Sequence, residues 1–191
     1  AETLILRPTG IQTYLSCPRK YFYGYVENAP RLTSAALAIG SAVHRAAEVL
    51  AAALKVGKRP TEVLPAAEAT LAEQIGYERT LGDPDPDDDK FETALETGIG
   101  LVRTLAEAIP TTWRPADVEK TVAAELAPGV IVSGTTDWVL ADGTIVDIKT
   151  RARKSNPADI RRDLQFTAYA ALRNAVEGKD GDRRAVRVVE V

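Results

Sequence analysis

The sequence has a single cysteine, Cys17. An intrachain disulfide is therefore excluded, as is any metal or iron-sulfur site built from several cysteines of this chain, and a metal site must use oxygen and nitrogen ligands. Methionine is missing altogether, even at position 1, so the start is read as processed or trimmed. No apolar run approaches the roughly 20 residues that cross a bilayer, and the N-terminus lacks the basic-then-apolar pattern of a secretory signal. No membrane partner is expected, and the expected location is the cytoplasm. An excess of positive charge is also missing. With a formal net charge of −3, the chain does not coat nucleic acid through overall charge, and a nucleic-acid site would have to be a local patch. No internal repeat, heptad array or low-complexity tract is evident.

What is present is 45% hydrophobic and 27% charged residues, the balance of a protein that can bury one core, so a single domain over residues 1–191 is expected. Helical patterns occupy about 9–109 and strands about 117–191, which makes the class mixed α/β. The spacing predicts a short helix over Thr9 to Leu15 capped by Thr9, and Pro18 interrupts or restarts it. A long alanine-rich helix is predicted from Ala35 to Val56, stopped by Gly57. Further helices are expected over Thr61 to Thr80, Phe91 to Ala108 and Pro157 to Val176. The run Gly82 to Asp89 reads as an acidic, mobile surface connection without the glycine and terminal glutamate of a calcium loop. Strands are expected over Val118 to Leu126 and Ala185 to Val191.

The most informative stretch is Val130 to Lys149. Two β-branched, apolar runs flank Ala141-Asp142-Gly143, the composition of a hairpin turn. A two-residue Asp142-Gly143 loop would put Asp137 opposite Ile148 and send the carboxylates of Asp137 and Asp147 to different faces. A three-residue Ala141-Gly143 loop, with Gly143 left-handed, pairs Leu140 with Thr144 and sets Asp137 opposite Asp147. In that register Asp137, Asp147 and Lys149 share one face, and Trp138, Leu140, Val146 and Ile148 form the other, a candidate core face. Opposed carboxylates repel unless a cation sits between them. Mg²⁺ or Mn²⁺ suits such oxygen ligands, and Lys149 beside them could orient a water or stabilise charge on a phosphate. The competing reading is an ordinary hairpin with solvated charges.

Other features fall in line with this stretch. His44, the only histidine, lies within the long helix with Glu48 one turn on and Gly40 one turn before. A helical histidine with hairpin carboxylates would complete a metal site, although a lone helical histidine is more often structural. Arg19 and Lys20 stand among Tyr21, Phe22, Tyr23 and Tyr25. Such rings could stack bases while the cations meet phosphates, but the favoured reading makes the aromatics core of a helix packed on the sheet. Arg151, Arg153 and Lys154, with Arg161 and Arg162, make the densest basic stretch, placed where a nucleic-acid backbone would approach Lys149. Gln165 and Tyr169 share a helix face near the strand ends.

Five segments occur in the order found in one family: Ser16-Cys17-Pro18-Arg19-Lys20-Tyr21-Phe22, Gly40-Ser41-Ala42-Val43-His44, Gly134-Thr135-Thr136-Asp137, Asp147-Ile148-Lys149 and Gln165-Phe166-Thr167-Ala168-Tyr169. Together they resemble the PD-(D/E)XK nuclease superfamily, and specifically its RecB-like branch with phage and CRISPR-associated exonucleases. The resemblance runs from about Ile11 to the C-terminus. It implies a restriction-endonuclease-like core, a central mixed sheet flanked by helices, with a helical N-terminal half. It also implies that His44, Asp137, Asp147 and the main-chain carbonyl of Ile148 bind Mg²⁺ or Mn²⁺, that Lys149 assists the attacking water, and that Gln165 and Tyr169 support the site or DNA. Some RecB-like enzymes carry a four-cysteine iron-sulfur cluster. Cys17 resembles its first ligand, but no later cysteine follows, so no cluster is expected. The activity so implied is DNA exonuclease action in recombination, repair or phage DNA processing, with single strands or duplex ends as the partner. Two alternatives are a catalytically silent DNA-end-binding module of the same fold and a metal-dependent hydrolase of a small phosphorylated molecule.

Overall fold

The computed structural model describes residues 3–30, 33–81, 89–178 and 185–191. The sheet is organised around one long ribbon. Strand β2, Pro115–Ala127, turns through Pro128-Gly129 into β3, Val130–Leu140, and the two pair antiparallel along their length. Gly129 sits at φ 74°, a conformation that costs a residue with a Cβ more than it costs glycine. On the other side β3 has two partners. β1, Leu4–Leu6, runs parallel to its start at Val130 to Val132, and β4, Ile145–Lys149, runs antiparallel to its end at Trp138 and Val139. Strand β5, Val186–Glu190, closes the sheet parallel to β4. Among the described residues no strand pairs with 133–137 of β3 on that side, so the sheet opens there into a notch.

The hairpin from β3 to β4 takes the three-residue loop. The Leu140 amide donates to the Thr144 carbonyl and the Gly143 amide to the Leu140 carbonyl, each at 2.8 Å, with Gly143 at φ 84°. Trp138 pairs with Val146, and the same register carried one step further sets Asp137 level with Asp147, at the edge of the notch.

Helices cover both faces. On one, α3 (Ala35–Lys55), α4 (Leu64–Glu78) and α5 (Ala94–Ala108) bury Val43, Leu50, Leu54, Leu71, Val102 and Leu105 against Trp138, Leu140, Val146 and Ile148 of the sheet. These sheet residues are the apolar face expected from the hairpin alternation. Each fully buried Leu contributes about 1.5–3 kcal/mol relative to exposure. On the other face, α7 (Leu164–Glu177) sets Tyr169 against Val139 and Ile145, and Leu172 against Val122 and Val132. Nearly buried Arg173 pins α7 to β2 through Asp117 at 2.8 Å, while Glu177 holds the same guanidinium at 3.1 Å. Before the sheet core, α1 (Pro8–Ser16) and α2 (Pro18–Tyr21) lead into a π-helical turn, Phe22–Val26.

Several local expectations are corrected. The first helix begins at Pro8, with Arg7 at its N-cap and no side-chain cap, so Thr9 lies inside the first turn instead of capping it. The proline at the first helical position has no amide, which leaves one orphan donor fewer at this end of the helix. The helix foreseen over 157–176 is two, α6 (Pro157–Arg162) and α7. Asp163 has extended backbone at ψ 119° and accepts from the Gln165 amide to cap the second. Strand β1 was not foreseen, because three residues carry too little pattern. The aromatics after Pro18 are not core. Phe22 and Tyr23 are about half exposed, and the rings pack on one another, Tyr21 stacking on Tyr25 at 5.0 Å. Finally, α3 is long and apolar enough to cross a bilayer by length and composition alone, contrary to the reading of its apolar runs. In this fold its apolar stripe is buried in the core. The expected acidic loop at 82–88 lies outside the described residues.

Candidate metal centre

The notch brings together side chains that are far apart in sequence. From α3, His44 directs Nδ1 to Asp137 Oδ1 at 3.4 Å and to Glu119 Oε1 at 3.8 Å. One ligand atom from each of His44, Glu119 and Asp137 lies within 4.8 Å of the others, close enough to hold a single cation. The helix is oriented for this by its own motif. Ser41 donates to Glu78 of α4 at 2.6 Å, and Gly40 leaves room for the Thr150 hydroxyl, which would stand 3.4 Å from a Cβ there.

Asp137 is held by the opening of the sheet. Its Oδ2 accepts the Ile148 amide at 2.6 Å, so the carboxylate takes the position a strand carbonyl would fill in a continued ladder. The Ile148 N–H thus holds the Asp137 carboxylate in place. Asp147, beside it on β4, is buried and its Oδ2 receives no hydrogen bond, although the Lys149 ammonium lies 3.1 Å away as an ion pair. The Lys149 ammonium is the positive group that so buried a carboxylate oxygen requires. Lys149 in turn donates to Gln165 Oε1 at 3.2 Å, and the Gln165 amide nitrogen donates to the Tyr169 hydroxyl at 2.7 Å. A continuous chain therefore runs from Asp147 through Lys149 and Gln165 to Tyr169.

The electrostatics match this crowding. Burial, then the charge of Asp137, push the Asp147 carboxyl up to about 7 against the opposing pull of Lys149. For His44, burial works to lower the pKa, but hydrogen bonds and charge from Asp137 and Glu119 prevail and raise it to about 10. Burial raises the Tyr169 hydroxyl to about 12. Without a metal the imidazole is therefore the cation that compensates the acids, and a divalent ion would displace its proton.

Glu119 was missed in the sequence. The Pro128-Gly129 turn alone, which pairs Ala127 with Val130, would set Lys120 opposite Asp137; an irregularity between Glu125 and Ala127 shifts the register by one and brings Glu119 level with Asp137. Its backbone is left-handed at φ 46°, in a gap of the ladder between the pairs Val118 with Trp138 and Lys120 with Thr136. A non-glycine residue there costs on the order of 1–3 kcal/mol, and such strain concentrates at functional sites. Glu48, noted as the neighbour of His44, instead pairs with Arg45 at 2.6 Å.

The cationic residues are not all gathered. Arg19 lies over the Tyr23 ring at 5.7 Å, and Lys20 is exposed on α2; neither touches the acidic group. Arg151 bonds Ser155 at 2.6 Å and faces Glu190 at 3.8 Å, while Arg153 and Lys154 are exposed on the loop after β4.

A mixed sheet covered by helices on both faces, opened at one hairpin around carboxylates, an imidazole and an ammonium, defines an α/β protein with a candidate divalent-metal site. The model of the PD-(D/E)XK nuclease superfamily matches residues 6–190, and the chain belongs to that superfamily. Its fold is accordingly the restriction-endonuclease-like α/β core, and its activity is nuclease-like with nucleic acid as the substrate class. No curated protein matches the chain. Divalent-metal use, general in the superfamily, fits the residues present, which offer one imidazole nitrogen and two carboxylates with ligand atoms within 4.8 Å of one another.

Proposed function

We propose that the chain is a Mg²⁺- or Mn²⁺-dependent deoxyribonuclease of the RecB-like branch. It is read as a cytoplasmic DNA exonuclease working in recombination, repair or phage DNA processing, with residues 1–191 as one nuclease domain. The observation that supports this most strongly is the convergence of His44, Asp137 and Glu119 beside Asp147, with the Lys149 ammonium 3.1 Å from the Asp147 carboxylate.

His44, Glu119 and Asp137 would hold the ion, with Asp147, the other carboxylate expected as a ligand, level with Asp137 on the hairpin. When bound, the metal supplies positive charge to the phosphodiester and makes nearby water more acidic. Asp147 and Gln165 hold the Lys149 ammonium between them, the first as an ion pair at 3.1 Å and the second through a hydrogen bond at 3.2 Å. Held in this way, the ammonium costs no reorganisation as negative charge develops in the transition state. Tyr169 fixes the amide of Gln165, and so the orientation of the oxygen that faces Lys149.

Digestion of end-labelled single- and double-stranded oligonucleotides with each metal tests the reading. Asp147→Ala is expected to reduce cleavage by at least about a thousandfold while the protein remains folded, as judged by circular dichroism. Cleavage by the variant at the wild-type rate would refute the assignment.

A further inference from the structure

Beyond the metal centre, a cavity of about 200 Å³ opens on the far side of Tyr169, lined by Arg7, Thr9, Thr121, Ser133 and Thr135. Its lining contains one guanidinium, the hydroxyls of Thr9, Thr121, Ser133, Thr135 and Tyr169, and no carboxylate, in a protein of net charge −3. The Arg7 carbonyl accepts the Ile11 amide at 2.9 Å, but its exposed guanidinium makes no ion pair or hydrogen bond with the described residues. The Thr121 and Thr135 hydroxyls bond each other at 2.7 Å, and the one that accepts keeps its own O–H to donate elsewhere. One wall is the Tyr169 ring, seated against Gly134, where a Cβ would stand only 2.8 Å from it. The Tyr169 hydroxyl is tied through Gln165 to Lys149. Thr135 precedes Asp137 by two residues on β3, about 7 Å of strand, comparable to the separation of neighbouring phosphates along an extended nucleic-acid strand.

We propose that this cavity is a phosphate subsite: it holds the phosphodiester next to the one presented to Lys149, through Arg7 and the Thr135 and Thr121 hydroxyls. The inference rests on the nuclease reading and deepens it. It makes the strand path run from the metal notch over Tyr169 to the start of α1, and it gives the protein a contact that sets where the chain is cut. A guanidinium with hydroxyl donors suits a phosphate oxygen better than a base edge, so the subsite reads the backbone and not the sequence.

The test uses the intact chain in two arms. In the first, binding of a labelled single-stranded oligonucleotide is measured in EDTA across a salt series. Arg7→Gln is expected to bind about tenfold more weakly near 0.1 M salt and to lower the salt slope by about one, the signature of one lost phosphate contact. Thr135→Val, nearly isosteric, is expected to weaken binding by a smaller factor with the slope unchanged, which guards against a folding artefact in the first variant. In the second arm, one linkage of the strand is made a neutral methylphosphonate and cleavage is followed with Mn²⁺. Wild type is expected to cut poorly when the linkage adjacent to the scissile one is neutral, and Arg7→Gln to be indifferent to that change. Equal slopes and equal sensitivity in wild type and Arg7→Gln overturn the subsite while the nuclease reading stands. The same result follows if inorganic phosphate alone binds at Arg7 with no effect on oligonucleotide slopes. Wild type that binds without cutting leaves the slope comparison to decide alone. A wild type that neither binds nor cuts any oligonucleotide overturns both.

Discussion

His44 and Asp147 carry the pH behaviour of the metal-free protein, and both push it the same way. His44, raised to about 10, contributes stability that is fully present below the ordinary imidazole value of 6.5 and is lost as pH climbs through 10. Asp147, raised to about 7, imposes no cost below the ordinary carboxyl value of 3.8; the cost grows between there and 7 and is complete above it. Thermal melts in EDTA are therefore expected to fall steadily from about pH 5 to pH 9. Since a divalent ion favours ionised Asp147 and neutral His44, the rise in Tm on adding Mn²⁺ is expected to be larger at pH 9 than at pH 6. A metal-induced shift independent of pH would contradict the arrangement. Asp147→Asn removes the like-charge pair with Asp137, and its EDTA-treated form is expected to melt higher than wild type at pH 9, although it no longer cuts.

At the scale of elements, the site depends on two places where regular structure stops. The first is the break between α6 and α7 at Asp163, which starts α7 with Gln165 turned toward Lys149. Asp163→Ala removes the cap and is expected to cost about 1 kcal/mol of stability, read by denaturant unfolding. The second is Gly134, which admits the Tyr169 ring to the surface of β3. Gly134→Ala forces a Cβ to within 2.8 Å of that ring and is expected to destabilise the protein by about 1–3 kcal/mol. It should also slow cleavage through the loss of Gln165 orientation. Such interruptions explain what was legible in the residues. The β3 to β4 hairpin could be read because Gly143 and the alternation of Trp138, Leu140, Val146 and Ile148 are local signals of turn and face. The helix break at Asp163 could not, because the apolar period carries on across it and only the capping bond marks the stop.

For the whole molecule, the layered α/β order followed from the helical period over the first half and the β-branched runs of the second. The notch did not. It arises because β1, three residues distant by more than a hundred from β3 in sequence, pairs with only the start of that strand and stops short of β4. Glu119 was hidden for another reason: its place opposite Asp137 depends on the register shift between Glu125 and Ala127 and on a left-handed backbone that no composition announces. The aromatic segment after Pro18 was misread because ring content alone does not distinguish a buried helix face from rings that stack on each other at the surface. Positive charge is also a matter of arrangement. A chain of net charge −3 presents Arg7, Arg19, Lys20, Arg153 and Lys154 exposed.

His44, Glu119 and Asp137 converge on one candidate cation position, with Asp147 and Lys149 beside it on β4. A crystal soaked in Mn²⁺ and measured at the manganese edge addresses it without reference to any substrate. One anomalous peak is expected in the notch, within coordination distance of the His44 imidazole and the Asp137 carboxylate and absent from Asp137→Ala. A notch without a peak in crystals of protein that cuts DNA with Mn²⁺ would contradict the account.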